Sequence, residues 1–365
     1  MNSKIRVLVV DDSALIRKIL SDLLNQNPDI EVVGSAQDGA FVMRKIEQLK
    51  PDVITLDVEM RTKGGLEVLP EIVRTHQIPV IMVSAHTEQG AHSTLKALEL
   101  GAVDFVTKPQ AGLGVDLQEI VDSLCQKIIA VGRSRTRMVQ RTTITSNKPA
   151  APRPFSQRPI IPASCDKIDL IAVGASTGGP EALKELLVNL PGTLPGILIV
   201  QHMPAGFTKA FANRLDGLCA MNVKEAEDGD PVSQGTALIA PGSHHMELVR
   251  AAGGYRVRLL DSEPVNRHRP AVDVLFNSVA QLAGKRCIAI QMTGMGGDGS
   301  LGLLNIFETG AMTIAQDQDS CVVFGMPKEA IKLGAATHIL PLHQIAPFVT
   351  KSMGADRPMQ MVASH

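Results

Sequence analysis

Residues 5–13 read IRVLVVDDS, an unbroken apolar run that ends on two adjacent aspartates and a serine. An apolar run without polar alternation is typical of a strand that is buried on both faces, as the strands of parallel sheets are. Apolar residues at helical spacing follow over residues 13–25. This stretch therefore predicts a strand and then a helix, packed in a mainly parallel α/β sheet.

The same pattern recurs along both halves of the chain. In the N-terminal half four more apolar runs follow, IEVVG (30–34), DVITLD (52–57), PVIMVS (79–84) and AVDFVT (102–107). In the C-terminal half the strand candidates are DLIAVG (169–174), GILIVQ (196–201) and RCIAIQM (286–292). The sequence thus predicts two α/β units, with the chemistry beyond the carboxyl ends of their strands, where ligands of such sheets bind.

A basic stretch separates the two halves. Residues 131–165 carry seven Lys or Arg, no acidic residue and many Ser, Thr and Pro, which is typical of a linker. We expect a domain over 1–130, a linker over 131–165, a second domain over 166–355 and a tail over 356–365. The first domain carries 13 basic and 18 acidic residues, and residues 166–365 carry 16 and 19. The basic linker is either simply solvated or in contact with the acidic domains or an acidic partner.

Composition limits the function classes. The 365 residues are 44% hydrophobic and have a formal net charge of −1, which gives no general attraction for nucleic acid. No apolar stretch approaches the roughly 20 residues that span a bilayer, and no N-terminal segment resembles a signal peptide. The five cysteines have no metal-site spacing, so we interpret them as reduced thiols. We expect a cytoplasmic monomer that neither binds nucleic acid nor inserts into a membrane.

Five polar residues fall at strand ends in the first half. Asp11 and Asp12 follow the first strand, Asp57 closes the third, and Ser84 and Lys108 end the fourth and fifth. Three carboxylates at one edge repel one another, and a hard cation such as Mg²⁺ relieves that repulsion. A hydroxyl and an ammonium there suit phosphoryl oxygens. Singly, each residue is also compatible with a helix cap, a turn or a solvated loop.

Together with their flanking residues, these positions resemble the receiver domain of response regulators. The motifs are VVDDS, LDVEM, VSAHT and DFVTKP, over roughly residues 3–128. The resemblance implies a flavodoxin-like (βα)5 fold and phosphoryl transfer from a histidine kinase to Asp57, with Ser84 and Lys108 stabilising the phosphoryl group. It further implies Mg²⁺ held by Asp12, Asp57 and the backbone carbonyl of Glu59, with Asp11 assisting.

Two positions depart from the receiver pattern. Where the family usually has a proline and an Asp-Gly or similar turn after LDVEM, this chain reads RTKGG over residues 61–65. Phe105 stands where many receivers carry a tyrosine-like aromatic residue. We expect neither change to abolish phosphorylation.

In the second half, GASTGGP places Ser176 on a tight turn between a strand and a helix. Glycines there allow close backbone approach, and the helix start could stabilise an oxyanion. The string satisfies G-x-S-x-G, the nucleophile elbow of hydrolases. A phosphate-binding turn and a plain capping serine are the alternatives, although the string fills neither the P-loop nor the G-x-G-x-x-G pattern.

A base and a carboxylate also follow strands. His202 comes directly after GILIVQ, and Asp298 lies in the glycine-rich turn after RCIAIQM. Three strand ends would then supply nucleophile, base and orienting acid to one cleft. The α/β-hydrolase chain order would instead need a late base such as His338 or His343. His244 and His245 suggest a metal site, but adjacent strand residues point to opposite faces, which favours a structural or cleft role.

The motifs GASTGG, VQHMP, APGSHHMEL, RPAVDVLFNSVA and TGMGGDGSLG resemble the catalytic domain of the chemotaxis response-regulator methylesterases, the CheB family, over roughly residues 166–352. The resemblance implies a doubly wound, mainly parallel sheet with a Ser176, His202 and Asp298 triad. It places Thr177 and Met295 beside the nucleophile, with the Met295 amide in the oxyanion hole. It implies hydrolysis of glutamate methyl esters, and deamidation of some glutamines, on the cytoplasmic helices of chemoreceptors, with no cofactor for the esterase reaction. Gly297 stands where the family often has Asn.

We therefore expect a receiver that covers the Ser176 cleft until phosphorylation at Asp57 raises esterase activity. Two rivals remain at this level. One is a response regulator with a binding module such as a transcription factor, against which stand the acidic charge of residues 166–365 and the absence of a helix-turn-helix pattern. The other is a hydrolase of small esters or amides.

Overall fold

The computed structural model describes residues 3–60, 63–85, 87–108, 117–144 and 167–354. The chain divides into two units, Met1–Pro162 and Ala163–His365. Arg61 and Thr62 of the atypical loop, much of the predicted linker and the predicted tail lie outside the described residues.

The first unit alternates strands and helices as the apolar runs predict. In chain order its elements are β1 (Ile5–Val10), α1 (Ala14–Leu24), β2 (Ile30–Ala36), α2 (Gly39–Leu49), β3 (Val53–Asp57), α3 (Gly65–Glu71), β4 (Val80–Ser84), α4 (Glu88–Glu99), β5 (Asp104–Thr107) and α5 (Leu117–Ile144). The strands form one parallel sheet in the order β2-β1-β3-β4-β5. This order is the flavodoxin-like one, so the predicted fold of the first unit is confirmed.

Local sequence explains where these elements begin and end. Ser13 caps α1 by accepting a hydrogen bond from the Ile16 amide at 3.4 Å. α3 contains Pro70 and passes into a π-helical turn over Ile72–His76. α5 continues to Ile144, beyond residue 130 where the composition placed the end of the first domain, and Val131 is still buried.

The second unit is larger. Its elements are β6 (Leu170–Ala175), α6 (Gly179–Val188), β7 (Gly196–Gln201), α7 (Phe207–Asp216), β8 (Asn222–Glu225), β9 (Thr236–Ile239), β10 (His245–Ala251), β11 (Gly254–Leu260), α8 (Val272–Leu282), β12 (Cys287–Gln291), α9 (Ser300–Glu308), β13 (Met312–Gln316), α10 (Met326–Lys332), β14 (His338–Leu340) and α11 (Leu342–Ser352). β10 and β11 form a separate antiparallel hairpin.

Seven strands of this unit form one parallel sheet in the order β14-β13-β12-β6-β7-β9-β8. β7, the next strand in the chain, pairs with one side of β6, and the later strand β12 pairs with the other side. The strand order therefore reverses at β6, and the crevice beyond such a reversal is where open α/β sheets bind ligands. The predicted doubly wound, mainly parallel sheet is confirmed.

The central strands of both sheets are buried because they are covered by apolar faces of helices. In the second unit the core includes Phe276 of α8, which is fully buried with strand residues such as Leu170 and Leu198. Among the described residues, none of the helices has the combined length and apolarity that a membrane span requires.

Candidate functional site

Ser176 lies in the turn that joins β6 to α6. The turn is closed by a hydrogen bond from the Gly179 amide to the Ser176 carbonyl at 2.7 Å. Gly178 caps the helix with φ +76°, a backbone region that favours glycine. Ser176 is only 9% exposed. The hydroxyl-bearing residue is therefore held at the start of a helix, where backbone N–H groups and the helix dipole favour negative charge.

The turn after β12 packs against this serine. A Cβ on Gly294 would lie 2.8 Å from the Ser176 Cβ, so only glycine allows this approach. The Ser176 amide donates to the Thr293 carbonyl at 3.0 Å, and the Thr293 hydroxyl donates to the carbonyl of the buried Thr177 at 3.0 Å. Met295 follows Gly294 directly. The structure thus brings the predicted Thr177 and Met295 to the nucleophile turn.

His202 and Asp298 form a buried pair at the same edge. The His202 amide donates to the Ala175 carbonyl at 3.1 Å, next to the nucleophile. His202 Nε2 lies 2.8 Å from Asp298 Oδ2, with both side chains almost fully buried. Because an ionised carboxylate only accepts hydrogen bonds, Nε2 carries the proton. His202 Nδ1 is buried and has no hydrogen-bond partner within the described ranges, which leaves it as the basic nitrogen.

The carboxylate of Asp298 accepts three further hydrogen bonds. Two come from the Val272 and Asp273 amides, at 2.6 and 3.2 Å, in the first turn of α8, and one from Asn266 Nδ2 at 2.8 Å. Burial alone would raise the pKa of Asp298, but the hydrogen bond and charge of His202, together with Asn266 and the Val272 amide, lower it to about 2. Asp298 is therefore ionised throughout the neutral range and can orient and stabilise an imidazolium.

Gln201, the last residue of β7, connects the nucleophile and the base. Its side chain is buried, and Nε2 donates to the Ser176 carbonyl at 2.9 Å and to the His202 carbonyl at 3.1 Å. A Cβ on Gly179 would lie 1.9 Å from Gln201 Oε1, so this arrangement requires glycine at the start of α6. One amide group therefore fixes the backbone of both reacting residues.

Three residues of this site were missed by the sequence reasoning. The His268 ring stacks on the His202 ring at a centroid distance of 3.7 Å and an interplanar angle of 14°. Asn266 bonds to Asp298, and Gln201 was interpreted only as the end of a strand. The segment VNRHRP, a polar loop directly before an amphipathic helix, was the available signal for Asn266 and His268.

The alternative histidines take other positions. His338 lies on the edge strand β14, which β13 and β12 separate from β6, and His343 lies in α11. At about 4.8 Å per strand, His338 is roughly 14 Å from the nucleophile strand. His245 Nδ1 accepts from the Ala271 amide and Nε2 donates to the Glu263 carbonyl, both at 3.1 Å. Both ring nitrogens are thus used, and His245 has the structural role that we favoured over a metal site.

In the first unit, Asp11, Asp12, Asp57 and Lys108 lie at the carboxyl ends of β1, β3 and β5. One ligand oxygen of each of Asp11, Asp12 and Asp57 lies within 4.8 Å of the other two. Lys108 Nζ lies 2.9 Å from Asp11 Oδ2 and 2.7 Å from Asp57 Oδ2. Burial raises the pKa of Asp57 to about 6, with Lys108 lowering it and Asp11 raising it. This donor set suits a hard divalent cation.

Glu59 and Ser84 lie around the same aspartate. The Glu59 amide donates to Asp57 Oδ1 at 3.3 Å, and Glu59 lines a cleft of about 520 Å³ with Asp12, Asp57 and Lys108. The Ser84 side chain is buried at the end of β4, and its hydroxyl donates to the Gly90 carbonyl at 3.3 Å. All the residues predicted for this site thus come to one edge of the sheet.

Known protein families match both halves of the chain. Residues 171–349 match the family model of the CheB methylesterase, and residues 7–121 match that of the response regulator receiver domain. A protein-glutamate methylesterase/protein-glutamine glutaminase 2 of Cupriavidus pinatubonensis is 51% identical over 343 residues, 94% of each chain. The corresponding protein of Pectobacterium atrosepticum is 48% identical, over 98% of this chain and 100% of its own. The crystal structure of the Thermotoga maritima CheB methylesterase catalytic domain is 42% identical and covers 50% of this chain and 98% of its own, with a TM-score of 0.49.

Replacing Gln201 by Met should lower kcat roughly tenfold or more with little change in KM. The substitution removes both hydrogen bonds of the side-chain amide. The Ser176 carbonyl keeps its bond from the Gly179 amide, whereas the His202 carbonyl loses the Gln201 donor, which costs about 1–3 kcal/mol and loosens the base. Gln291→Met is the matched control, because Gln291 is also a buried strand-end glutamine but its amide has no hydrogen-bond partner in the described residues. Equal kcat in the two variants would contradict the positioning role.

Replacing Asp298 by Asn should lower kcat by about 10⁴-fold, as loss of the orienting carboxylate does in Ser-His-Asp enzymes. Because the pKa of Asp298 is lowered to about 2, its carboxylate is charged at neutral pH, and the loss should be seen throughout the neutral range. The measurement is kcat for ester hydrolysis. Asp169→Asn, at the far end of β6, is the control and should keep the native kcat, and a native kcat in Asp298→Asn would exclude the pairing.

Proposed function

The chain belongs to the CheB family of response-regulator protein-glutamate methylesterases and glutaminases, and from that premise we propose that it demethylates chemoreceptors under the control of phosphorylation at Asp57. The observation that carries the catalytic half is the buried His202–Asp298 pair, with Nδ1 free, beside the Ser176 turn. The substrate is a methylated glutamate on the cytoplasmic helices of a chemoreceptor, so the protein acts in the cytoplasm.

In the first step Ser176 Oγ attacks the ester carbon, and His202 Nδ1 takes the hydroxyl proton. Asp298 stabilises the imidazolium that forms. The start of α6 and the Met295 amide stabilise the oxyanion, and Thr177 lies beside the substrate. The tetrahedral intermediate then collapses to a glutamyl-Ser176 ester, and methanol leaves with the proton from His202.

In the second step water attacks the glutamyl-Ser176 ester. His202 takes a proton from the water and returns it to Ser176 Oγ as the acyl bond breaks, which releases glutamate. A glutamine side chain follows the same course with ammonia as the leaving group, so one site supports both the esterase and the glutaminase reaction. Neither reaction needs a cofactor.

In the receiver, a carboxylate oxygen of Asp57 attacks the phosphohistidine of a histidine kinase, and a P–O bond to Asp57 forms as the P–N bond breaks and the kinase's histidine leaves. Asp11, Asp12, Asp57 and the Glu59 carbonyl would hold Mg²⁺, which when bound neutralises phosphoryl charge. Lys108 and Ser84 bind the phosphoryl oxygens. The proximity of Lys108 to Asp57 supports its role, since it already lies at 2.7 Å.

We also propose the division into a receiver over 1–130, a linker over 131–165, a catalytic domain over 166–355 and a tail over 356–365. The helix α5 then extends from the receiver into the first part of the linker. We propose that the protein works as a monomer without nucleic acid or membrane insertion.

Ser176→Ala should abolish methanol release from methylated receptors, because the acyl intermediate forms on the Ser176 hydroxyl. The measurement is release of labelled methanol from receptors that carry labelled methyl esters. Ser233→Ala, an exposed loop serine, is the control and should retain full activity. Turnover that survives in the Ser176 variant would rule out this nucleophile.

Asp57→Ala should abolish stimulation by a small phosphodonor and leave basal hydrolysis unchanged. Each tenfold of stimulation corresponds to about 1.4 kcal/mol of coupling between receiver and esterase. Asp22→Ala, which removes an exposed carboxylate from α1, should respond as the native protein does. Stimulation that persists without Asp57 would exclude phosphorylation of this residue as the signal.

A further inference from the structure

The loop over residues 263–271, here called the NRHR loop, is fixed at its base. His245 bonds to both ends of it, to the Glu263 carbonyl and to the Ala271 amide, each at 3.1 Å. His245 is itself almost fully buried. Both ends of the loop are therefore fixed to the body of the second unit.

The tip of the NRHR loop is a tight two-residue turn. The amide of Val265 donates to the His268 carbonyl at 3.1 Å, and the His268 amide donates back to the Val265 carbonyl at 2.9 Å. The two central residues, Asn266 and Arg267, have φ of 54° and 66°. Asn and Gly suit both positions of such a turn, whereas an arginine is strained there. A strained residue that the surroundings hold in place is a reason to look for a function.

The residues on either side of Arg267 both contact the His202–Asp298 pair. Asn266 Nδ2 donates to Asp298 and to Asp273, both at 2.8 Å. His268 stacks on His202. The backbone of Arg267 is therefore held between Asn266, which bonds to Asp298, and His268, which stacks on His202.

The charge of Arg267 is available. The residue is exposed, and no hydrogen bond or ion pair of its guanidinium is found among the described residues. Arg269, two residues later, differs because its guanidinium is bound to the Asp261 carboxylate and the Ser262 carbonyl, both at 2.9 Å. An arginine in a strained turn beside the reacting residues, without an internal partner, fits an external anion.

We propose that Arg267 is a specificity-determining residue that binds a carboxylate of the substrate protein next to the glutamyl side chain under attack. This inference rests on the proposed function. The reacting ester and amide are neutral, whereas hydrolysis leaves a glutamate, so a substrate segment with several modifiable side chains becomes acidic as it is processed. A guanidinium pairs with such a carboxylate through two parallel hydrogen bonds, in a way that a lysine does not.

The test uses the full chain and two helical peptides that each carry one glutamate methyl ester. One peptide has glutamates around the ester, and the other has glutamines. On the acidic peptide, Arg267→Asn should raise KM about tenfold, the loss of one charge-assisted pair, with kcat changed less than about twofold. On the glutamine peptide the variant and the native protein should have equal KM. Arg267→Lys should restore KM only in part.

Asparagine suits the turn, so Arg267→Asn should unfold at the same temperature as the native protein or higher, which separates binding from a structural role. Arg258→Asn, an exposed arginine on β11 that pairs with Glu247, is the control. A KM for the acidic peptide that Arg267→Asn leaves unchanged, or an equal rise for both peptides, would overturn the inference. If the native protein hydrolyses neither peptide, the proposed function fails instead.

Discussion

The carboxylate of Asp298 is the group on which the catalytic unit depends. It receives hydrogen bonds from the first amides of α8, from the Asn266 side chain and from the base His202, and so joins a helix, a loop and a strand end at one point. A carboxylate can accept this many donors only when it is ionised, and the donors keep it ionised despite burial. The carboxylate charge that orients His202 therefore also holds the loop that carries Asn266 and the start of α8 in place.

The two units each use an aspartate beyond or at the carboxyl end of a strand, under opposite electrostatic conditions. Asp298 is surrounded by donors, and its pKa falls to about 2. Asp57 is buried beside another carboxylate and has Lys108 as its cation, and its pKa rises to about 6. The same edge of an α/β sheet thus holds a fixed anion in one unit and, in the other, a carboxylate whose charge needs more compensation than the protein supplies. The second condition suits a group that works with a bound cation.

Much of this arrangement could be predicted from the sequence, because parallel strands place their carboxyl ends at one edge. Asp11, Asp57, Ser176 and His202 lie at the ends of apolar runs, and Asp298 lies in the glycine-rich turn that follows another, so the position of strand ends brought them together. Asn266 and His268 could not be found in the same way, since their loop is positioned by His245, a contact that no local pattern encodes. The role of Gln201 could not be predicted because the sequence does not show which groups an amide at the end of a strand will bond. Which imidazole nitrogen faces Asp298 is likewise set by tertiary packing.

The contact between Gly179 and Gln201 has a consequence for how the chain can vary. Because the amide oxygen occupies the space of a side chain at Gly179, a larger residue at 179 is tolerated only when the residue at 201 changes as well. The two residues lie on different strand-to-helix junctions and should be inherited as a pair. A chimera between relatives whose crossover falls between β6 and β7 would separate residues selected together, so crossovers outside that span are the safer choice.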